Sequence, residues 1–155
     1  MIGRTQQPHS AGVVDFPVPD RQNDSIELSL PARPENIAVV RHVLGAVGAC
    51  LRLDAELVED MRLAVTEACT NVVRHAYEDG RGPIELFITS DEDDVRVVVA
   101  DRGRGIGPSP DTRGPGLGLP LIAAIADSLQ IDQVAGAGSR ITMAFARRPR
   151  HEAAA

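Results

Sequence analysis

The feature that most constrains this chain is one long amphipathic segment at residues 54–77. Asp54 opens it as an N-cap residue and Gly80 stops it. Leu57, Met61, Val65, Ala68 and Val72 recur at three and four, so the segment must lay one face of a helix on a core. Glu67, Asn71 and His75 run beside that stripe at intervals of four, each about 40° further around the helix. A carboxylate, an amide and an imidazole are thereby held along one side of a rigid element. Two glycine-rich turns follow, Asp101-Arg-Gly-Arg-Gly105 and Gly114-Pro-Gly-Leu-Gly-Leu119. Backbone amides in such turns can face a phosphate chain, so the ordered set reads as an ATP site.

Other segments supply the layers around this helix. Residues 1–24 are rich in Pro, Gln, Asp and Ser without apolar periodicity and read as a flexible lead-in. Ser25-Ile-Glu-Leu-Ser-Leu30 alternates as a half-buried strand does. Pro34 and Glu35 open a helix whose apolar face is Ile37, Val40, Leu44 and Val47, with Gly48 loosening its end near Cys50. Residues 84–90 and 95–100 read as strands around an acidic hairpin tip, Asp91-Glu-Asp-Asp94. Residues 106–113 read as a short, Pro-rich lid loop. A third helix is expected at 117–129, with Leu119, Ile122, Ile125 and Leu129 inward and Pro120 in its first turn. Closing strands at 131–134 and 140–146 flank Gly136-Ala-Gly138, and a tail follows at 147–155. Hairpins segregated from helices predict an α+β two-layer sandwich, with the helices on one face of a mixed, mostly antiparallel sheet.

A length of 155 residues allows one domain, at 25–146, and its 43% hydrophobic content suits a soluble core. No apolar run approaches the ~20 residues of a membrane span, and the polar start at 1–10 offers no secretory leader. A net charge of −6 argues against nucleic acid as a direct partner. Arg147, Arg148 and Arg150 read as a solvated tail. Cys50 and Cys69 lie in apolar helical stretches and are expected as buried free thiols of a reducing cytoplasm.

Each motif alone has an ordinary counterpart. Glu67 and Asn71 match polar residues at a helix boundary, and His75 matches a helix-end histidine offsetting the dipole. Asp101 and Gly103 match a tight turn after a buried strand, or a carboxylate that accepts a hydrogen bond from the exocyclic amine of adenine. The glycines before the third helix match an anion-binding turn, but no Lys-Ser or Lys-Thr follows them as in a Walker loop. Magnesium favours a site with few protein ligands, and Asn71 offers one oxygen without added charge. Glu67, one turn earlier, is placed as a general base.

Glu67-x-x-x-Asn71-x-x-x-His75, Asp101-x-Gly103-x-Gly105 and Gly116-Leu-Gly-Leu119 resemble the asparagine box and the two glycine boxes of the Bergerat-fold (GHKL, HATPase_c) ATPases. The stretch Leu63-Ala-Val-Thr-Glu-Ala-Cys-Thr-Asn-Val-Val-Arg-His-Ala-Tyr77 is most similar to one branch, the anti-sigma factor serine/threonine kinases of the RsbW and SpoIIAB type. Pro31-Ala-Arg-Pro-Glu-Asn36 and its helix share that likeness, which covers residues 26–146. The resemblance implies Glu67 as catalytic base, Asn71 as magnesium ligand and Asp101 as adenine reader. It places His75, Gly103, Gly105, Gly114, Gly116, Leu117 and Gly118 around the nucleotide. Ser139 would support Asp101 and the base, and Arg113 would stand near a lid arginine.

The implied function is that of an anti-sigma factor and protein serine kinase. It would use ATP and Mg2+ to phosphorylate an anti-anti-sigma protein of the STAS type and would sequester a sigma factor. The short loop at 106–113 leaves an alternative, an ATP-binding module that sequesters a partner without phosphotransfer. The 24 residues before Ser25 are expected to be too few for a histidine-kinase hairpin. The resemblance further implies a homodimer, through the exposed side of the first helix and a sheet edge.

Overall fold

The computed structural model describes residues 25–104, 118–134 and 137–147. Its elements are β1 (Ser25–Pro31), α1 (Pro34–Leu51), α2 (Ala55–His75), β2 (Pro83–Ser90), β3 (Asp94–Asp101), α3 (Gly118–Ile125), β4 (Ser128–Val134) and β5 (Gly138–Ala146). The strands form one sheet in the order β1-β2-β3-β5-β4. Every adjacent pair is antiparallel, so the mixed pairing expected does not occur among the described strands.

Register fixes which side chains meet the helices. Leu86 pairs with Val99 and Val99 with Ile141, while Ile88 pairs with Val97 and Val97 with Met143. Because side chains alternate faces along a strand, these rows line one side of the sheet. They share a core with Val40, Leu44 and Val47 of α1, with Met61, Val65, Ala68 and Val72 of α2, and with Ile122 of α3. Asp101 and Ser139 stand directly opposite each other on this same face, where β3 and β5 are paired at the site end of the sheet.

The helix boundaries have local causes. Pro34 at the start of α1 needs no amide partner there. Arg52, at φ 54°, turns the chain left-handed after Leu51, and the amide of Leu53 reaches back to the Gly48 carbonyl at 2.9 Å. Gly48 does not loosen the helix. A Cβ there would lie 2.4 Å from a methyl carbon of Val58, so the glycine lets α1 and α2 close on each other. Asp54 occupies the N-cap of α2 with extended backbone, but its side chain makes no capping bond. Its carbonyl accepts the Val58 amide at 3.1 Å. The helix ends at His75, two residues short of the expected Tyr77.

The largest departure is after α3. Leu129 was expected on the third helix, yet α3 ends at Ile125 and Leu129 belongs to β4, opposite Met143. The Asp127 amide bonds the Ala144 carbonyl, and the Asp127 carboxylate accepts the Ala146 amide, so the chain joins the sheet there. Leu129 and Ile131 satisfy strand alternation as well as Ile125 and Leu129 satisfy helical spacing. Pairing with β5 decides the ambiguity.

Arg147 is not free tail. Its amide bonds the Asp93 carbonyl, and its guanidinium donates to Asp91 O at 2.6 Å and Leu51 O at 3.1 Å. It therefore ties the acidic hairpin tip to the end of α1. Among the described residues, no helix is long and apolar enough to cross a membrane.

The two thiols separate. Cys69 is buried, whereas Cys50 is exposed, because its position on α1 faces away from the stripe that meets the core. Burial pushes the Cys69 thiol up to about 12, which leaves almost no thiolate near neutrality. A thiol-titrating disulfide reagent at pH 8 is expected to label Cys50 of the folded protein quickly and Cys69 only after denaturant is added. Two fast equivalents from the native protein would contradict the placement of Cys69.

Candidate nucleotide site

Glu67 and Asn71 lie half-buried on α2, and His75, at its last turn, is exposed. The start of α3 packs directly against the first two. A Cβ built on Gly118 would sit 3.3 Å from Asn71 Nδ2, 3.4 Å from Asn71 Oδ1 and 3.5 Å from Glu67 Oε2. The described part of α3 begins at Gly118. The fold therefore brings a carboxylate, a side-chain amide and the first described turn of α3 together from segments some fifty residues apart.

A second group forms where β3 ends. Asp101 is only 3% exposed, and both of its carboxylate oxygens are engaged. Oδ1 accepts the Gly103 amide at 2.8 Å, and Oδ2 accepts the Ser139 hydroxyl. Gly138 makes this pairing possible. Its φ of 101° suits glycine, and a Cβ there would fall 2.0 Å from the Asp101 carbonyl oxygen. Each carboxylate oxygen keeps a second lone pair, so Asp101 can accept a further hydrogen bond.

The chain leaving β3 is pinned to the end of α2. A Cβ on Gly103 would meet the Ala76 carbonyl oxygen at 2.0 Å, so backbone approaches backbone there. The same carbonyl accepts the Arg104 amide at 3.0 Å, and the His75 carbonyl accepts Arg104 Nε at 2.9 Å. The described contact of His75 is thus through its backbone. Arg102 pairs with Glu85 at 2.5 Å, and that carboxylate raises the guanidinium above its ordinary value.

Sequence reasoning passed over Ala76, Tyr77 and Arg104, which fasten the two groups together. Their signal was their position directly after the two motifs, where a connection between them had to run. Gly105, Arg113, Gly114, Gly116 and Leu117 lie outside the described residues. A surface cavity of about 410 Å3 opens elsewhere, between Ser29, Arg33, Arg81 and Pro83 where β1 and β2 meet. None of the residues above lines it.

Residues 30–145 match the histidine kinase-like ATPase domain family. Serine-protein kinase RsbW of Bacillus cereus is 35% identical over 124 residues, covering 70% of this chain and 77% of the relative. The chain belongs to the RsbW family of serine-protein kinases. The RsbW of Bacillus licheniformis is 34% identical over 128 residues, covering 72% of this chain and 79% of that protein. Among solved structures, the RsbU and RsbW domains of a Mycobacterium tuberculosis protein superpose with a TM-score of 0.65 at 24% identity. That likeness concerns the fold. It covers 81% of the present chain, which spans 33% of the two-domain structure.

The bond between Ser139 and the buried carboxylate has a measurable consequence in this RsbW-family chain. Ser139→Ala leaves Asp101 Oδ2 without its donor and is expected to lower unfolding stability by about 1–3 kcal/mol, the cost of an unsatisfied buried group. Ser139→Thr keeps the hydroxyl and is expected to retain most of that. Urea unfolding without nucleotide reads both, and equal stability of Ser139→Ala and the parent would contradict the arrangement.

Proposed function

We propose that this serine-protein kinase uses Mg-ATP to phosphorylate a serine of an anti-anti-sigma protein of the STAS type. We propose further that it sequesters a sigma factor once that antagonist has been phosphorylated. The observation that supports the reading best is the meeting of Glu67 Oε2 and the Asn71 amide with Gly118 at the start of α3.

The donor set there fits magnesium. Asn71 brings one neutral oxygen, which suits a hard cation that keeps several waters and completes its shell with phosphate oxygens, while the start of α3 favours the phosphates themselves. Asn71 would hold the ion, whose chemistry is to offset charge on the phosphates. The amides at Gly118, with Gly114, Gly116 and Leu117 before it, would take the phosphate oxygens. Asp101 would read the adenine amine while Gly103 and Ser139 hold its carboxylate in place. Gly105 would line the nucleotide with Gly103, His75 would border it, and Arg113 would face the phosphates.

Glu67 then acts on the acceptor. Its carboxylate takes the proton of the serine hydroxyl as that oxygen bonds the γ-phosphorus and ADP departs. Positioning and charge stabilisation supply most of the acceleration in such a transfer, and the base supplies the remainder. A cytoplasmic homodimer completes the proposal, with the exposed side of α1 around Val39 and the open edge of β1 or β4 as contact surfaces.

Label transfer from γ-labelled ATP to the anti-anti-sigma partner tests this reading. Glu67→Ala is expected to lower the transfer rate by at least ~10²-fold, the low end for losing a general base, while nucleotide affinity changes little. Equal rates in variant and parent would remove Glu67 from the chemistry.

A further inference from the structure

Tyr77 closes the stretch Leu63–Tyr77 with no role assigned to it above, yet it stands where three elements converge. It follows the last turn of α2, and its hydroxyl donates to the Pro83 carbonyl at 2.6 Å, at the start of β2. The same oxygen accepts the backbone amide of Arg102 at 2.9 Å, at the exit of β3. The ring lies against Gly82, where a Cβ would fall 2.0 Å from a ring carbon. Burial raises the phenol above its ordinary pKa, with the Arg102 amide pulling the other way, so it stays a protonated donor at neutral pH.

The Arg102 amide is one peptide bond from Asp101. Beyond it, Gly103 and Arg104 rest on Ala76, and the Gly103 amide is itself the donor to Asp101 Oδ1. Ser139 constrains one carboxylate oxygen from β5, and the turn Arg102–Gly103 constrains the other. The orientation of that turn relative to α2 therefore sets where the free lone pairs of Asp101 point. Among the described residues, Tyr77 is the side chain that ties the turn to α2 and to β2 at once.

We propose that Tyr77 is a positioning residue for base recognition: its hydroxyl, bridging the Pro83 carbonyl and the Arg102 amide, holds the Asp101 carboxylate in register for the exocyclic amine of adenine. This rests on the reading of Asp101 as the group that meets the base. A hydrogen bond aimed within a low-dielectric site loses strength quickly as its angle degrades, so the effect falls on recognition of the amine and spares the phosphates.

The test compares two diphosphates in the presence of magnesium, so that no turnover enters. Titration calorimetry gives Kd for ADP and for purine riboside diphosphate, which carries hydrogen where adenine carries its amine. The parent is expected to prefer ADP by at least about tenfold, as a lost charge-assisted hydrogen bond implies. Tyr77→Phe keeps the ring against Gly82 and removes the hydroxyl. It is expected to weaken ADP about fivefold, the share of one neutral hydrogen bond, and to leave purine riboside diphosphate within twofold. Arg102→Ala keeps the amide while removing the ion pair to Glu85, and it is expected to retain the parent's preference.

Tyr77→Phe weakening both ligands equally, or neither, would overturn the positioning role while leaving Asp101 as base reader. A parent without preference for ADP would remove Asp101 from base recognition and this proposal with it. A second readout needs no variant: the Arg102 amide of the parent is expected to be protected from hydrogen exchange. Exchange at the rate of an unstructured peptide would overturn the bridge.

Discussion

Burial of one face of Ala55–His75 is the constraint on which the rest of the molecule depends. Met61, Val65, Ala68 and Val72 seat the helix in the core that it shares with α1, α3 and the sheet, each with 4% or less of its surface exposed. A helix fixed in rotation by such a stripe has no freedom left for its neighbouring positions. Glu67 and Asn71 therefore acquire their direction from apolar packing, without needing partners of their own. The same seating brings the C-terminal end of the helix to the exit of β3, where Ala76 and Tyr77 meet Arg102, Gly103 and Arg104. Stability and site geometry are supplied by one element.

Asp101 shows the complementary arrangement, in which polar bonds hold a charge inside the core. A carboxylate at 3% exposure is costly unless its oxygens receive donors, and here they come from two directions. The Gly103 amide is local, and the Ser139 hydroxyl arrives from β5 through strand register. Two glycines permit this, Gly103 by admitting the Ala76 carbonyl and Gly138 by its positive φ beside the Asp101 backbone. The glycine at 103 thus serves the protein's own packing before it serves any ligand.

Much of the fold was legible because its two periodicities are strong. The stripes of α1 and α2 and the alternation of β2, β3 and β5 located those elements to within a residue or two. Leu129 was misread because a helical series and an alternating series share it, and only the hydrogen bonds of Asp127 to β5 separate them. Cys50 was misread as buried because apolar surroundings in sequence do not say which side of a helix is covered. Arg147 looked like solvated tail, since its partners are backbone carbonyls at positions 51 and 91 that leave no trace in side-chain pattern. In the site, the placement of Glu67 and Asn71 on one side of α2 followed from spacing alone. The clamp formed by Tyr77 did not, because it joins a phenol to backbone groups of two strands.

Thermal unfolding with and without Mg-ATP, on the parent and on Asn71→Ala, tests the nucleotide site most directly. A ligand that binds the folded state adds RT ln(1 + [L]/Kd), about 2.7 kcal/mol at a hundredfold excess over Kd. A magnesium-dependent rise in melting temperature of the parent, largely lost in Asn71→Ala, is the predicted result. No rise in the parent, or an equal rise in both proteins, would contradict a nucleotide site built on Asn71.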